Sequence, residues 1–351
     1  MKKILRLLTL MILTALIFNI VACSSSDSGT KTDSEKQEAV SKEVADESED
    51  TDVNESGSSD EEKTYAMVFP IVHPFFEPIG VMAEEYGHEK SWNIITNAPD
   101  KSDAQLQIQI LENLIAMNVD GIAVGPTDPD ALVPVIDQAI DKGIPVICFE
   151  TDAPDSNKLA YIGTDNYNAG RHMGAVIGEK LNGEGDILIL TGLPTQMSLN
   201  ERIRGIEEYL AENYPNINVV DTQPSEGDPQ KAVTLTENMI LSHPDFKAII
   251  GIDATAGPAM ISVWKAKGWQ NNDEHMIITF DDMPDNLQGL KDGYITSIVA
   301  QRQSGWGRDV LDLLDQVVRG EEYEVYIDTG SIEITLDNID SYTEEPSYVE
   351  E

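Results

Sequence analysis

The chain has 351 residues, 41% of them hydrophobic, and carries a formal net charge of -40 at pH 7. This length and apolar content suffice for one or two domains with real cores. The charge excludes a phosphate-backbone partner, because nucleic-acid binding needs clustered Lys and Arg that this sequence lacks; a surface this acidic reads instead as solvated and self-repelling.

At the start of the chain, Lys2, Lys3 and Arg6 precede an apolar run from Leu7 to Ala22 that ends immediately before Cys23. That is the layout of an export signal over residues 1–22. Ile20-Val21-Ala22-Cys23 resembles the bacterial lipobox, which implies a lipidated Cys23 at the mature N-terminus. More than one acyl chain holds a protein stably on a membrane. An uncleaved membrane helix is the alternative, and either arrangement leaves the remainder outside the cytoplasm. Residues 24–63 carry 14 acidic side chains and 4 lysines with scarcely an apolar group. Such a composition cannot offset the entropy of ordering, so residues 23–63 are expected to form an acidic tether.

From Thr64 onward, short β-branched runs alternate with longer amphipathic stretches, the signature of parallel sheets covered by helices. The pattern predicts strands at Tyr65–Phe69, Asn93–Thr96, Gly121–Val124, Pro145–Phe149, Asp186–Thr191, Asn218–Asp221, Ala248–Ile252, Met276–Phe280 and Thr296–Val299. Nine strands are many for one sheet. Leu106, Ile110, Leu114 and Met117 share one face of a helix that Ser102 or Asp103 can cap. A second helix starts near Asp165 and carries Gly170, Gly174 and Gly178 at four-residue intervals, read as close packing of that helix on its sheet. Cys148 lies inside an apolar run with no mature disulfide partner and is expected to be a small core residue.

Catalytic equipment is absent from the sequence. It has no GxxxxGK phosphate loop, GxSxG elbow or HExxH helix. His73, His88, His172, His243 and His275 lack metal-ligand spacing. Carboxylates are so numerous that nominating an acid–base pair has no value. Neither an enzyme, a cofactor nor a metal is expected.

Polar or aromatic residues do recur just past the C-terminal ends of the strands, where open α/β sheets bind ligands. His73-Pro74-Phe75-Phe76 follows the first strand, Glu150 ends the fourth, and Asn200-Glu201-Arg202-Ile203-Arg204-Gly205 lies in the second half. Asp253, Asp281 and Gln301 close three later strands. In this order the segments resemble the bacterial periplasmic sugar-binding proteins of the ribose-binding type, over about residues 65–340. The resemblance implies that Phe75 and Phe76 pack against the C–H face of a sugar, an apolar surface that hydroxyl-binding groups cannot satisfy. It also implies that His73, Glu150, Arg202, Asp253, Asp281 and Gln301 hold hydroxyls, Arg202 through the fixed fork of its guanidinium. Two departures bear on the ligand: ribose binders follow their carboxylate with Arg where this chain has Thr151, and Gly227 stands where they carry another aromatic. Trp306 either lines the cleft or packs under its helix, and packing is preferred.

The implied fold is α/β of the periplasmic-binding-protein type I, with two Rossmann-like lobes of parallel sheets joined by a three-strand hinge. Residues 64–164 and 302–328 would form the N-terminal lobe, 165–301 and 329–341 the C-terminal lobe, and 342–351 an acidic tail. The implied role is a monomeric, lipid-anchored receptor that hands a small sugar to a membrane ABC permease, the ligand bridging the lobes and stabilising their closed form. A neutral sugar is preferred because Arg202 and the aromatic rings sit awkwardly beside a bare cation. An amino sugar, a polyamine or a signalling furanose stays open, since three carboxylates face one guanidinium.

Overall fold

The computed structural model describes residues 63–270 and 274–342. The export signal, Cys23, nearly all of the acidic tether and the tail after Tyr342 lie outside the described residues. No helix among the described residues is long and apolar enough to cross a membrane.

Two six-stranded sheets carry the fold. The first takes β1 (Thr64–Val68), β2 (Asn93–Asn97), β3 (Gly121–Val124), β4 (Val146–Phe149) and β5 (Ala160–Gly163), linked through α1 (Glu77–Lys90), α2 (Ala104–Met117) and α3 (Pro129–Asp141). The chain then crosses into the second sheet through α4 (Asn166–Lys180) and continues as β6 (Glu184–Thr191), α5 (Met197–Asn213), β7 (Asn216–Pro224), α6 (Pro229–Ser242), β8 (Ala248–Gly251), α7 (Ala256–Lys267), β9 (Met276–Phe280), α8 (Pro284–Lys291) and β10 (Ser297–Gln301). It returns through α9 (Trp306–Val318) to β11 (Tyr326–Asp328) in the first sheet and ends with β12 (Ser331–Ile334) in the second. The orders are β11-β5-β4-β3-β1-β2 and β12-β10-β9-β8-β6-β7, the same arrangement twice. Every pairing is parallel except β10 with β12. The α/β two-lobe expectation therefore holds, with three chain crossings between the sheets.

The strands form because they are short, β-branched and buried on both faces: β3, β4 and β8 contain no exposed residue. Four helix starts are set by aspartates. Asp103, Asp128, Asp165 and Asp228 each accept from backbone N–H groups of the first turn, and Pro129 and Pro229 follow two of them, where a missing N–H costs nothing. Apolar layers fill both faces of each sheet, with α1 and α9 over one face of the first and α2 and α3 over the other. Trp306 is fully buried, donates to Thr329 Oγ1 at 3.2 Å and packs on Phe75, so it has the packing role.

The glycine stripe of α4 faces a different partner from the one the sequence suggested. A Cβ on Gly170 would lie 2.1 Å from the Arg202 carbonyl oxygen, and one on Gly205 would lie 2.2 Å from the Tyr167 carbonyl oxygen. The stripe thus seats α4 against α5 rather than against the sheet, and fixes the backbone of Arg202. Gly170→Ala is expected to lower stability by about 2–3 kcal/mol, because backbone rather than a flexible side chain must yield. Thermal unfolding reads the effect, and an unchanged midpoint would show that the two helices separate at no cost.

Candidate ligand-binding site

Between the two sheets lies a cleft that opens to solvent. All eight residues singled out as ligand contacts line it: His73, Phe75, Phe76 and Glu150 from the first lobe, and Arg202, Asp253, Asp281 and Gln301 from the second lobe and its return strand. They converge because each stands at or just beyond the C-terminal end of a parallel strand or, for Arg202, in the second turn of α5.

Two of the acids occupy the same unusual backbone. Glu150 follows Phe149 at the end of β4 with φ 63°, and Asp281 follows Phe280 at the end of β9 with φ 69°. The left-handed region is costly for residues with a Cβ and persists where surroundings over-determine it. Here they do. Tyr161 Oη and Asn166 Nδ2 donate to the Glu150 carbonyl at 3.0 and 3.2 Å, while Asn286 Nδ2 donates to the Asp281 carbonyl at 2.8 Å. The turn swings each carboxyl group out of its sheet into the cavity.

Arg202 is 1% exposed. Its Nε donates to Asn166 Oδ1 at 2.9 Å, its Nη1 donates to the Ile252 carbonyl at 3.0 Å, and its guanidinium lies 4.6 Å from the Phe280 ring centroid. Its Nη2 is buried without a hydrogen-bond partner, as is Asp253 Oδ1. A donor and an acceptor therefore stand buried and unpaired on two residues that line one cavity. Each is costly to leave so. Gln301 Nε2 donates to Asp281 Oδ1 at 2.8 Å, and Gln301 Oε1 accepts from Thr164 Oγ1 at 3.0 Å, tying the site to the first chain crossing.

Burial sets the electrostatics. Loss of water pushes the carboxyls of Glu150 and Asp253 upward, and pushes Asp281 up to about 7, against the pull of Arg202 and Gln301. Burial holds His73 below the usual imidazole range. His73 Nδ1 accepts the Phe75 N–H at 3.2 Å, which leaves the proton on Nε2, 3.1 Å from Thr255 Oγ1. Phe75 and Phe76 meet edge to face with centroids 5.0 Å apart and form an apolar wall. Gly227 also lines the cavity, φ 74°, with open space where a side chain would stand.

Glu150 has neighbours that the sequence did not disclose. Gln196 Nε2 donates to both its oxygens at 3.1 and 3.0 Å, Ser198 Oγ to Oε1 at 3.0 Å and Thr151 Oγ1 to Oε2 at 2.6 Å. Gln196 and Ser198 open α5, and Gln196 occupies the cap position without capping it, since its amide reaches across to Glu150. A Gln–Met–Ser run ahead of an amphipathic helix signals a helix start, and nothing in it signals a contact with the other lobe. Among the described residues, no group of three or more His, Cys, Asp or Glu is placed to hold a metal.

Residues 66–322 match the model of the periplasmic binding protein domain. The ribose import binding protein of Salmonella typhimurium is 24% identical over 262 residues, covering 74% of this chain and 86% of that protein. A solute-binding protein of an ABC transporter from Burkholderia graminis, solved in complex with D-arabinose, is 36% identical with a TM-score of 0.75 and covers 80% of this chain and 98% of its own. A glucose-galactose binding protein from Geobacillus stearothermophilus is 26% identical with a TM-score of 0.74, covering 78% and 98%.

Proposed function

The chain belongs to the periplasmic binding protein family, and from that premise we propose that it is the extracytoplasmic receptor of a carbohydrate ABC importer. The ligand is a monosaccharide or a molecule like one, captured in the cavity between the lobes. The observation that carries this reading is the pair of unpaired buried groups, Arg202 Nη2 and Asp253 Oδ1, in one cavity with the apolar wall of Phe75 and Phe76. A hydroxyl both donates and accepts, so a polyol satisfies both groups at once, while its C–H face covers the rings. Asp281, Gln301 and His73 complete the set, and Glu150 stands at its wall. The relatives' names, one for ribose and one for glucose and galactose, and the arabinose complex support a neutral sugar. The open space at Gly227 favours a ligand with a substituent on that side.

Residues 64–164 with 302–328, and 165–301 with 329–341, are the two lobes that close on it. The lipobox-like segment at Cys23 supports a lipid anchor on the outer face of the membrane, with the acidic stretch as spacer and the receptor acting as a monomer. One observation favours a second reading: three carboxylates line the cavity against a single guanidinium, which suits an amino sugar or polyamine.

Calorimetry of the ligand-stripped protein separates the two. Stoichiometric binding of one pentose or hexose is the expected result. Silence across neutral sugars with a response to a polyamine or amino sugar would reject the neutral-sugar assignment.

A further inference from the structure

The polar groups of the cavity divide by lobe in a way that the receptor reading does not by itself require. On the first lobe, the polar side chains are His73 and Glu150, and both are occupied by the second lobe. His73 Nε2 meets Thr255 just before α7. Glu150 accepts four contacts, and only the one from Thr151 comes from its own lobe. A carboxylate offers about four acceptor places, so Glu150 is filled. Thr151 Oγ1 has one proton for two acceptors, Glu150 Oε2 at 2.6 Å and Ser198 Oγ at 2.9 Å, and the shorter contact to the carboxylate takes it, while Ser198 keeps its own proton for Oε1. Burial is complete: Glu150 is 3% exposed, Thr151 0%, Ser198 2% and Gln196 7%. On the second lobe the situation is reversed, for it is there that Arg202 and Asp253 hold unpaired atoms.

We infer that Gln196 and Ser198 are positioning residues that, through Glu150, latch the two lobes shut without ligand, and that the ligand's polar contacts fall mainly on the second lobe. The inference rests on the receptor reading for its second half and on geometry alone for its first. Hydrogen bonds to a buried charge are the stronger kind, so a latch of two interlobe donor groups, Gln196 Nε2 and Ser198 Oγ, biases closure appreciably. Affinity then depends on the fraction of chains already competent to hold ligand, as the intrinsic constant divided by that fraction. Ser198 is absent from the cavity wall, which makes it the cleaner probe.

The test uses the full-length chain carrying Cys23→Ser, with spin labels on cysteines replacing Met117 and Leu241, residues exposed on opposite lobes; Cys148 is buried and is spared by the label. The ligand-free protein is expected to populate a short interlobe distance. Ser198→Ala and Gln196→Ala should each move that population toward the open distance by about tenfold. With D-ribose and D-arabinose as probes, Ser198→Ala should weaken binding by the same factor through faster dissociation, with association unchanged. A ligand-free chain without a short-distance population, or a double variant whose distances match the parent, overturns the latch whatever happens to sugar affinity. If neither sugar binds, that result counts against the neutral-sugar reading, and the distances alone decide on the latch.

Discussion

Asp281→Asn is expected to cost the protein at least about a hundredfold in ligand affinity while stabilising the empty fold. Both effects follow from one environment. Asp281 is 2% exposed, and desolvation raises its carboxyl to about 7, with Asp282 and Asp253 adding to the rise and Arg202 and Gln301 opposing it. On the proposed function a ligand hydroxyl donates to that carboxylate and so offsets the cost of its charge; Asn offers a neutral oxygen and an N–H in place of a second acceptor. Asn also tolerates the left-handed backbone at φ 69°, so the turn survives. The folded carboxyl titrates above its unfolded value near 4, so ionising it opposes folding. The protonated form is the stable one, its advantage is intact below pH 4, and it is lost as pH rises from about 4 to about 7. The gain in Asp281→Asn should therefore be small at pH 4, larger at pH 8, and no more than about 4 kcal/mol. Thermal unfolding of stripped protein at the two pH values reads it; an equal shift at both would remove the charge from the explanation. Glu150 and Asp253, also raised by burial, leave a residual slope of the same sign.

Arg202→Met is expected to abolish binding and to destabilise the domain at neutral pH by about 3–5 kcal/mol. The side chain is replaced by one of similar reach, so packing is roughly conserved. What disappears is the one guanidinium in the cavity wall, which draws down Glu150, Asp253 and Asp281 alike. Asn166 Oδ1 and the Ile252 carbonyl also lose their donor. Three buried carboxylates without a counter-charge recover by taking protons, so the destabilisation should shrink between pH 8 and pH 5. Arg202→Lys should rescue stability in part and binding hardly at all, because a point charge cannot serve Asn166, Ile252 and the ligand together. Denaturant unfolding at both pH values checks this, and a loss independent of pH would mean that Arg202 acts through packing alone.

Much of this was legible in the sequence, for physical reasons that also explain what was not. The α/β alternation, the Asp caps and the strand ends marked by Phe149-Glu150, Asp253 and Phe280-Asp281 are local signals, and the parallel sheet converts strand ends into one rim. The strands at Ala160–Gly163, Tyr326–Asp328 and Ser331–Ile334 went unread because what makes them strands is pairing, β11 with β5 and β12 with β10, between separate parts of the chain. The α4 stripe was seen, but a run of glycines states only that something comes close. It does not state what. The Gln196–Ser198 cluster is the deepest omission: its chemistry as a helix start is ordinary, and its role follows from closure of one lobe on another. Positive φ at Glu150 and Asp281 was likewise hidden, since neither residue type demands it.

The return of α9 to the first lobe sets an order of assembly. Val310, Leu311, Leu314 and Val317 cover the face of the sheet that holds Tyr65, Met67, Ala123 and Ile147. α1 covers part of that face early, but the part under α9 stays bare until the chain has been made to about residue 317, whereas β6 to β10 and the helices among them form one uninterrupted stretch ending at Gln301. A chain that emerges from its N-terminus thus carries its first-made lobe unfinished past the point at which the second has all but its edge strand, and stays threadable from its leading end for most of its length.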